Sequence, residues 1–404
     1  IVQCLVGSEM CIRDRMQKEE FCSIPDTPEL QWLALSLVPG LGFRSIQEML
    51  NAGKSISELL QATPGELVRD LGINSKVANK IASASKASTF AIEKRLIEES
   101  PETRLYCPES EAYPLQLKEI ESPPSVLYWK GIEGLAGKPC LAFVGSRACS
   151  AYGLKHTKRL ILELAEAQPE LVIVSGMARG IDTLAHQAAL DAGLKTIAVL
   201  AGGLNHLYPP ENKLLAERIQ EEGALITEFP MAVKPLAKHF PIRNRVISGL
   251  SLGVVVTEAR LKSGANITAA FALQQNREVF ALPGRVDSEA SAGTNRLISR
   301  QHAKLISRAD EILEELRFGR VKSQQPLLPL GQAQKVIQRK VFSDLEQKVL
   351  KQIENGTEEL NDIHVESGIS MNQLLGVILE LELKGIVQQN NSSTYSIKEE
   401  IVLQ

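Results

Sequence analysis

The chain has 404 residues, 44% of them hydrophobic and 23% charged, with a formal net charge of −3. That length makes room for two or three domains, and the composition excludes disorder as the main state. A total charge just below zero excludes a histone-like protein coated in positive charge, but not a nucleic-acid binder, which needs one basic face rather than a basic total.

The first fifteen residues lack the basic-then-apolar order of a signal peptide. Met16 begins a more natural-looking opening, so residues 1–15 read as a mis-called start or read-through artefact, and residues 1–27 together are expected to be a non-native or flexible N-terminus. No stretch approaches the ~18–20 apolar residues that cross a bilayer, and the expectation is a cytoplasmic protein with no membrane contact. Cys4, Cys11, Cys22, Cys107, Cys140 and Cys149 form no CxxC pair, which argues against a zinc site or a disulfide framework and for free thiols.

Residues 28–98 read as helical. Trp32, Leu33, Leu35 and Leu37 precede the turn Pro39-Gly40-Leu41-Gly42, and a similar unit recurs at Leu71-Gly72-Ile73-Asn74 followed by Val77, Ile81 and Ala84. The pattern fits a pair of helix–hairpin–helix units, whose backbone amides at a Gly-rich hairpin bind phosphate. A small helical bundle with glycine C-caps fits it as well, and both stay open.

Residues 99–317 alternate short apolar runs with amphipathic stretches. Strands are predicted at Cys140–Val144, Leu171–Ser175, Thr196–Leu200, Ala224–Thr227, Gly253–Val256 and Glu278–Leu282. Helices are predicted from about Tyr152 and Gly180, and around Glu211–Glu222, Ile242–Leu250 and Asn266–Gln275. Near-continuous apolar strands alternating with helices give an α/β fold, a Rossmann-like, doubly wound, mostly parallel sheet. Residues 318–342 read as a polar linker broken by Pro326 and Pro329. Residues 343–404 read as winged-helix-like. Leu345, Val349, Leu350 and Ile353 mark one helix, Leu360 and Ile363 a second, and Leu374, Leu375, Ile378, Leu379 and Leu381 a third. A hairpin flanks Asn390-Asn391-Ser392. The third helix carries Glu380 and Glu382 and little positive charge, a poor DNA reader, so a protein contact stands beside the DNA reading.

Open sheets place ligands beyond the carboxyl ends of their strands. Val144-Gly145-Ser146-Arg147 offers a close backbone approach, a hydroxyl and a guanidinium, but is no GxGxxG fingerprint, since the next glycine is Gly153. Ser175-Gly176-Met177-Ala178-Arg179-Gly180-Ile181-Asp182 suits a second phosphate contact, with Asp182 capping or bracing the loop and His186 as a structural hydrogen-bonder. The turn from Gly202-Gly203 to Tyr208-Pro209 reads as structural. Residues 234–308 hold twelve Lys or Arg against four Asp or Glu, a local balance of +8, the electrostatic footprint of a polyanion site. Within them, Lys238, Phe240, Arg243, Asn244 and Arg245 set basic groups beside an aromatic ring on which a base stacks, although Phe240 also fits a helix-start staple. Lys262-Ser263-Gly264 forms a second basic turn. No nucleophile–base arrangement, Walker lysine motif, HExxH or close carboxylate pair is present. Glu228 and Glu258 lie near strand ends without a His or Cys partner in sequence. The expectation is a protein with no catalytic residue, no metal and no cofactor.

In this order the motifs resemble the DprA/Smf (DNA-processing) family. They run through Phe143-Val144-Gly145-Ser146-Arg147, the Ser175–Asp182 loop, Tyr208-Pro209, Glu228-Phe229-Pro230, and Phe240 to Ser251. Glu258-Ala259, Lys262-Ser263-Gly264, Ala281-Leu282-Pro283-Gly284 and Gly293 to Ile298 complete them. The resemblance covers roughly residues 100–310. It implies an extended Rossmann-like fold, a homodimer, binding of single-stranded DNA without sequence preference, and delivery of that DNA to the recombinase RecA in natural transformation. It implies that Gly145, Ser146 and Arg147 hold a phosphate, that Ser175 and Gly176 line the same pocket, and that Lys238, Phe240, Arg243, Asn244 and Arg245 shape its basic, stacking part. Lys262, Ser263 and Gly264 close it. Met177-Ala178 departs from a more glycine-rich form of that loop. The alternative is a nucleotide-binding, phosphoribohydrolase-like Rossmann enzyme, but Gly202-Gly203-Leu204-Asn205 lacks the Pro-Gly-Gly-x-Gly-Thr loop such enzymes use.

Overall fold

The structure, a computed structural model, describes residues 25–316, 343–354, 359–383, 386–391 and 394–397. The expectations for residues 1–24 and for the whole linker, residues 318–342, fall outside them. The chain divides into two compact units, Ile1–Gln324 and Gln325–Gln404.

The first unit opens with six helices: α1 (Pro28–Ser36), α2 (Phe43–Asn51), α3 (Ile56–Gln61), α4 (Pro64–Leu71), α5 (Ser75–Ala82) and α6 (Ser88–Glu98). Their starts are written in the sequence. Ser55 with Glu58 and Thr63 with Glu66 form capping boxes, each satisfying orphan amides at a helix start. Gly72 ends α4 at φ 66°, a left-handed conformation glycine adopts without steric cost. The helices close over Trp32, Leu33, Leu35, Ile46 and Leu59, and the same core takes in Tyr128, Val126 and Met231 from the sheet side. Glu93 accepts the Met231 amide at 2.7 Å, and the Trp32 indole donates to Glu109 at 3.1 Å. The helical segment is thus welded to the edge of the sheet.

That sheet has nine strands: β1 (Thr103–Tyr106), β2 (Leu127–Gly131), β3 (Cys140–Val144), β4 (Val172–Ser175), β5 (Lys195–Val199), β6 (Ala224–Thr227), β7 (Gly253–Val256), β8 (Glu278–Ala281) and β9 (Lys304–Leu305). Their order is β1-β2-β6-β5-β4-β3-β7-β8-β9, with β1–β2 and β2–β6 antiparallel and the other neighbours parallel. The intervening helices are α7 (Leu115–Lys118), α8 (Ala151–Ala167), α9 (Ile181–Asp191), α10 (Lys213–Glu222), α11 (His239–Gly249), α12 (Gly264–Gln274), α13 (Ala292–Ser299) and α14 (Ala309–Glu315). Every residue of β3, β4, β6 and β7 is buried, as parallel strands covered by helices on both faces require. The predicted strands stand within a residue at each end. Sequence reading missed β1, β2 and β9. It also placed the start of α11 at about Ile242. The helix begins at His239, and proline in a first turn forfeits no helical hydrogen bond.

The second unit has α15 (Asp344–Glu354), α16 (Leu360–Ser367), α17 (Met371–Leu383) and the antiparallel pair β10 (Val387–Asn391) and β11 (Thr394–Ile397). Three helices and a hairpin form the winged helix. Val349, Leu350, Ile353, Ile363, Leu374, Ile378, Leu381 and Tyr395 fill its core. Leu345, Leu375 and Leu379, which sequence periodicity places on buried faces, are exposed at 40%, 46% and 57%.

Candidate nucleic-acid interface

Strand β3 is followed in space by β4 on one side and by β7 on the other, so the chain reverses direction of winding there. The loops after β3 and β7 part at this switch point, where doubly wound sheets hold ligands. A cleft of about 690 Å³ opens at that place. Val144–Ala148 line one wall, Arg260 and Lys262–Ala265 another, and Phe240, Arg243 and Asn244 of α11 the floor.

The first wall is held by backbone contacts and by one buried carboxylate. The Ser146 amide donates to the Glu258 carbonyl at 2.8 Å, and the Ser146 carbonyl accepts from Ile181 at 3.3 Å. A side chain at Gly180, whose φ is 77°, would run into that same carbonyl, and one at Gly145 would run into Ile181. The Glu258 carboxylate, itself buried, accepts from the amide and hydroxyl of Ser150 at 2.9 and 3.1 Å. That contact explains Gly153, where a Cβ would overlap the carboxylate. Glu258 thereby braces the loop. Arg147 projects from the loop into solvent with its guanidinium 4.9 Å from the Phe240 ring centroid.

The floor is organised by Arg243, which is 3% exposed. Its guanidinium donates to the carbonyls of Gly176 (2.5 Å) and Val199, and its Nε donates to the Asn244 amide oxygen at 3.2 Å. Burial pulls Arg243 down to about 10. Gly176 is the slot into which it fits: a Cβ there would strike the guanidinium. Burial likewise pushes the Asp182 carboxyl up to about 6, with Arg243 and the Ala178 and Gly176 amides opposing the shift. Asp182 accepts from the Ala178 amide at 3.4 Å and so braces its loop, as expected. Met177, at φ 58°, takes a left-handed backbone uncommon for a side chain of its size, while its side chain is fully buried against Leu190, Leu200 and Leu215. A glycine would take this backbone conformation without that steric cost.

The second wall is the turn before α12. Ser263 caps that helix, accepting from the Ala265 amide at 3.3 Å. The N-terminal amides of α12 and the cationic side chains of Arg260 and Lys262, both exposed, bring partial and full positive charge to this side of the cleft, a setting that suits an anion.

Of the predicted residues the cleft gathers Gly145, Ser146, Arg147, Phe240, Arg243, Asn244, Lys262, Ser263 and Gly264. Five lie outside its lining. Ser175 is fully buried and donates to the Phe143 carbonyl at 2.6 Å. Gly176 receives Arg243. Arg179 is ion-paired with Glu211. Lys238 is exposed beside the start of α11. Arg245 forms a largely buried pair with Glu228, whose carboxyl is raised by burial. Several members of the basic segment are also spoken for: Arg277 pairs with Glu119, Arg285 with Asp287, Lys304 with Glu315 and Arg308 with Asp310. Sequence reasoning treated the Tyr208 turn as structural, yet Tyr208 lines the cleft, half-exposed, with its ring edge-on to Phe240. An aromatic in a Gly/Pro-rich loop was the available signal.

The sequence model of a family described as DNA recombination-mediator protein A matches residues 104–317, more than half of the chain. The chain belongs to the DprA/Smf family. A model of the DprA winged helix domain matches residues 332–391. Protein Smf of Synechocystis sp. is 31% identical over 404 residues, covering 92% of this chain and 99% of that protein. The DNA processing protein DprA of Streptococcus pneumoniae is 44% identical over 208 residues, 52% of this chain and 72% of that one. An X-ray structure of DNA processing protein A from the same species aligns with a TM-score of 0.63 at 35% identity, covering 72% of this chain and 99% of that chain. The DprA/Smf match spans both walls of the cleft and its floor. Among the described residues no cluster of His, Cys, Asp or Glu is arranged to hold a metal, and no helix is long and apolar enough to cross a membrane.

Proposed function

We propose that this chain is a non-enzymatic, cytoplasmic single-stranded-DNA-binding protein that protects incoming or processed strands and, as a homodimer, helps load RecA in natural transformation. One observation carries the DNA part: a cleft at the switch point of the sheet brings the exposed guanidinium and ammonium groups of Arg147, Arg260 and Lys262 into one lining with Phe240, the Arg147 guanidinium 4.9 Å from its ring centroid. Cations hold a phosphate backbone and an aromatic face takes a base, the combination that suits unpaired strands of any sequence. The names borne by the relatives, DNA processing proteins, and the family's description as a recombination mediator support it. RecA and the homodimer rest on the family resemblance. RecA filament formation on protein-coated strands and sedimentation of the free protein test them.

The DNA part is tested by fluorescence anisotropy with a labelled oligonucleotide, single- against double-stranded, over a range of salt. The single strand is expected to bind more tightly, with affinity falling steadily with salt as counterions are released. Arg147→Ala is expected to weaken binding to all sequences alike, because a phosphate contact carries no base information. It should also reduce the log–log salt slope by about 0.7, one phosphate contact on a single strand. Wild-type protein that binds neither form at low salt refutes the reading, and release of base from a nucleoside monophosphate is then the assay to run.

A further inference from the structure

Phe240 offers a base only part of its ring. The guanidinium carbons of Arg147 and Arg243 lie 4.9 and 5.8 Å from its centroid, and Arg243 is pinned by carbonyls and cannot leave. Tyr208 is more open, 38% exposed. Its ring centroid lies 5.7 Å from that of Phe240, at an interplanar angle of 77°. The loop that carries it is fixed at both ends. The Gly203 and Asn205 amides donate to Val233 and Met231 at 2.8 and 3.1 Å. At the far end the buried Asn212 amide donates to Thr183 Oγ1 at 2.8 Å and to the Met177 carbonyl at 3.1 Å. A ring on so well-held a loop keeps its place without being part of a core.

Beside it stands Arg179, its guanidinium carbon 5.9 Å from the Tyr208 centroid and its Nε on the Glu211 carboxylate. Both partners of that pair are about half exposed, the setting in which an ion pair is weak and a competing anion can replace the carboxylate. A phosphate is such an anion, and a guanidinium binds it in bidentate fashion.

Resting on the single-strand reading above, we infer that Tyr208 and Arg179 form a second station on the strand's path, an open stacking face with its own phosphate clamp, and that Glu211 masks that clamp until DNA displaces it. The centroid spacing exceeds the about 3.4 Å per nucleotide of a stacked strand. With the rings nearly perpendicular, bases on the two stations cannot stack on one another. The strand must splay there, which a duplex cannot do.

The test uses full-length protein and two labelled probes of equal length, a thymidine oligonucleotide and its abasic counterpart, which keeps the phosphates and lacks the bases. Tyr208→Ala is expected to weaken thymidine binding about tenfold, the loss of one base stack, with little change in the salt slope or in abasic binding. Tyr208→Phe should behave as wild type. Glu211→Gln, an exposed change that leaves the fold alone, is expected to tighten both probes several-fold and to steepen the salt slope by up to about 0.7. Thymidine affinity unchanged in Tyr208→Ala, while Phe240→Ala loses binding, overturns the station and leaves the single-strand reading standing. Weaker binding in Glu211→Gln overturns the mask and makes Glu211 a brace for Arg179. Wild-type protein that binds no single strand removes both the station and the reading beneath it.

Discussion

Glycines in the two loops that face the cleft do different jobs, and single methyl groups separate them. Gly176 lacks a side chain because Arg243 occupies the space, whereas Gly264 has nothing within 4 Å of where its Cβ would sit. Gly176→Ala is expected to push Arg243 off the Gly176 and Val199 carbonyls and to cost about 2 kcal/mol or more by denaturant titration, since buried polar groups then lose partners. Gly264→Ala should leave stability near wild type and still weaken single-strand binding, if the free space above it is where a phosphate meets the α12 amides. Equal stability losses in both variants would contradict that division. His186 supplies a pH signature at the same scale. The Thr196 hydroxyl gives its proton to the Ile173 carbonyl at 2.7 Å, so the His186 Nδ1, 2.7 Å from that hydroxyl, is the donor, and the buried Nε2 has no partner among the described residues. Burial drives His186 down to about 3. The unfolded chain therefore binds the extra proton first, and stability falls as pH drops below the ordinary histidine value. At pH 5 the expected cost is about 2 kcal/mol, partly offset by Asp182, whose raised pKa has the opposite sign between about 6 and 4. His186→Gln should flatten the decline between pH 7 and pH 5. An identical slope in the variant would show that the ring is accessible to protons in the native state.

Elements were legible in the sequence where burial is two-sided. The strands Cys140–Val144 and Gly253–Val256 announce themselves because helices cover both faces, leaving no polar position to confuse the period. Thr103–Tyr106 did not, because an edge strand four residues long with an exposed Arg104 has too short and too polar a pattern. The cleft was legible as loops after apolar runs, since topology alone puts such loops together. What sequence could not reveal is which basic residues point outward. Arg243 and Arg147 look alike in a string of letters, yet one is locked onto two carbonyls and the other meets solvent. Tyr208 was passed over because exposure depends on how Gly203 seats its loop against Pro230 and Met231. Pro241 stands one residue before the predicted start of α11 and inside the observed helix. Because it lies in the first turn of α11, Pro241→Ala is expected to cost only about 0.4–1 kcal/mol, the conformational entropy restored to the unfolded chain. A loss above about 2 kcal/mol in a denaturation series would instead mean that the ring itself is a packing element.

At the scale of the whole molecule, the cleft is built entirely within the first unit, from residues 144 to 268. The winged helix has its own core, and its third helix shows Leu375 and Leu379 together with Glu380 and Glu382, a face ill-suited to phosphates. A chain ending at residue 316 is accordingly expected to keep single-strand affinity within a few-fold of full length by anisotropy. A large drop would place part of the interface in the C-terminal unit. The near-perpendicular setting of Tyr208 and Phe240 has one more consequence. A strand laid across both rings must first surrender the cohesion between its own neighbouring bases. Purine runs hold that cohesion more firmly than pyrimidine runs, so a protein that touches no base edge would still sort strands by composition and favour thymine tracts over adenine tracts. Its apparent preference would then be a property of the DNA's own stiffness, read out by two rings set at right angles.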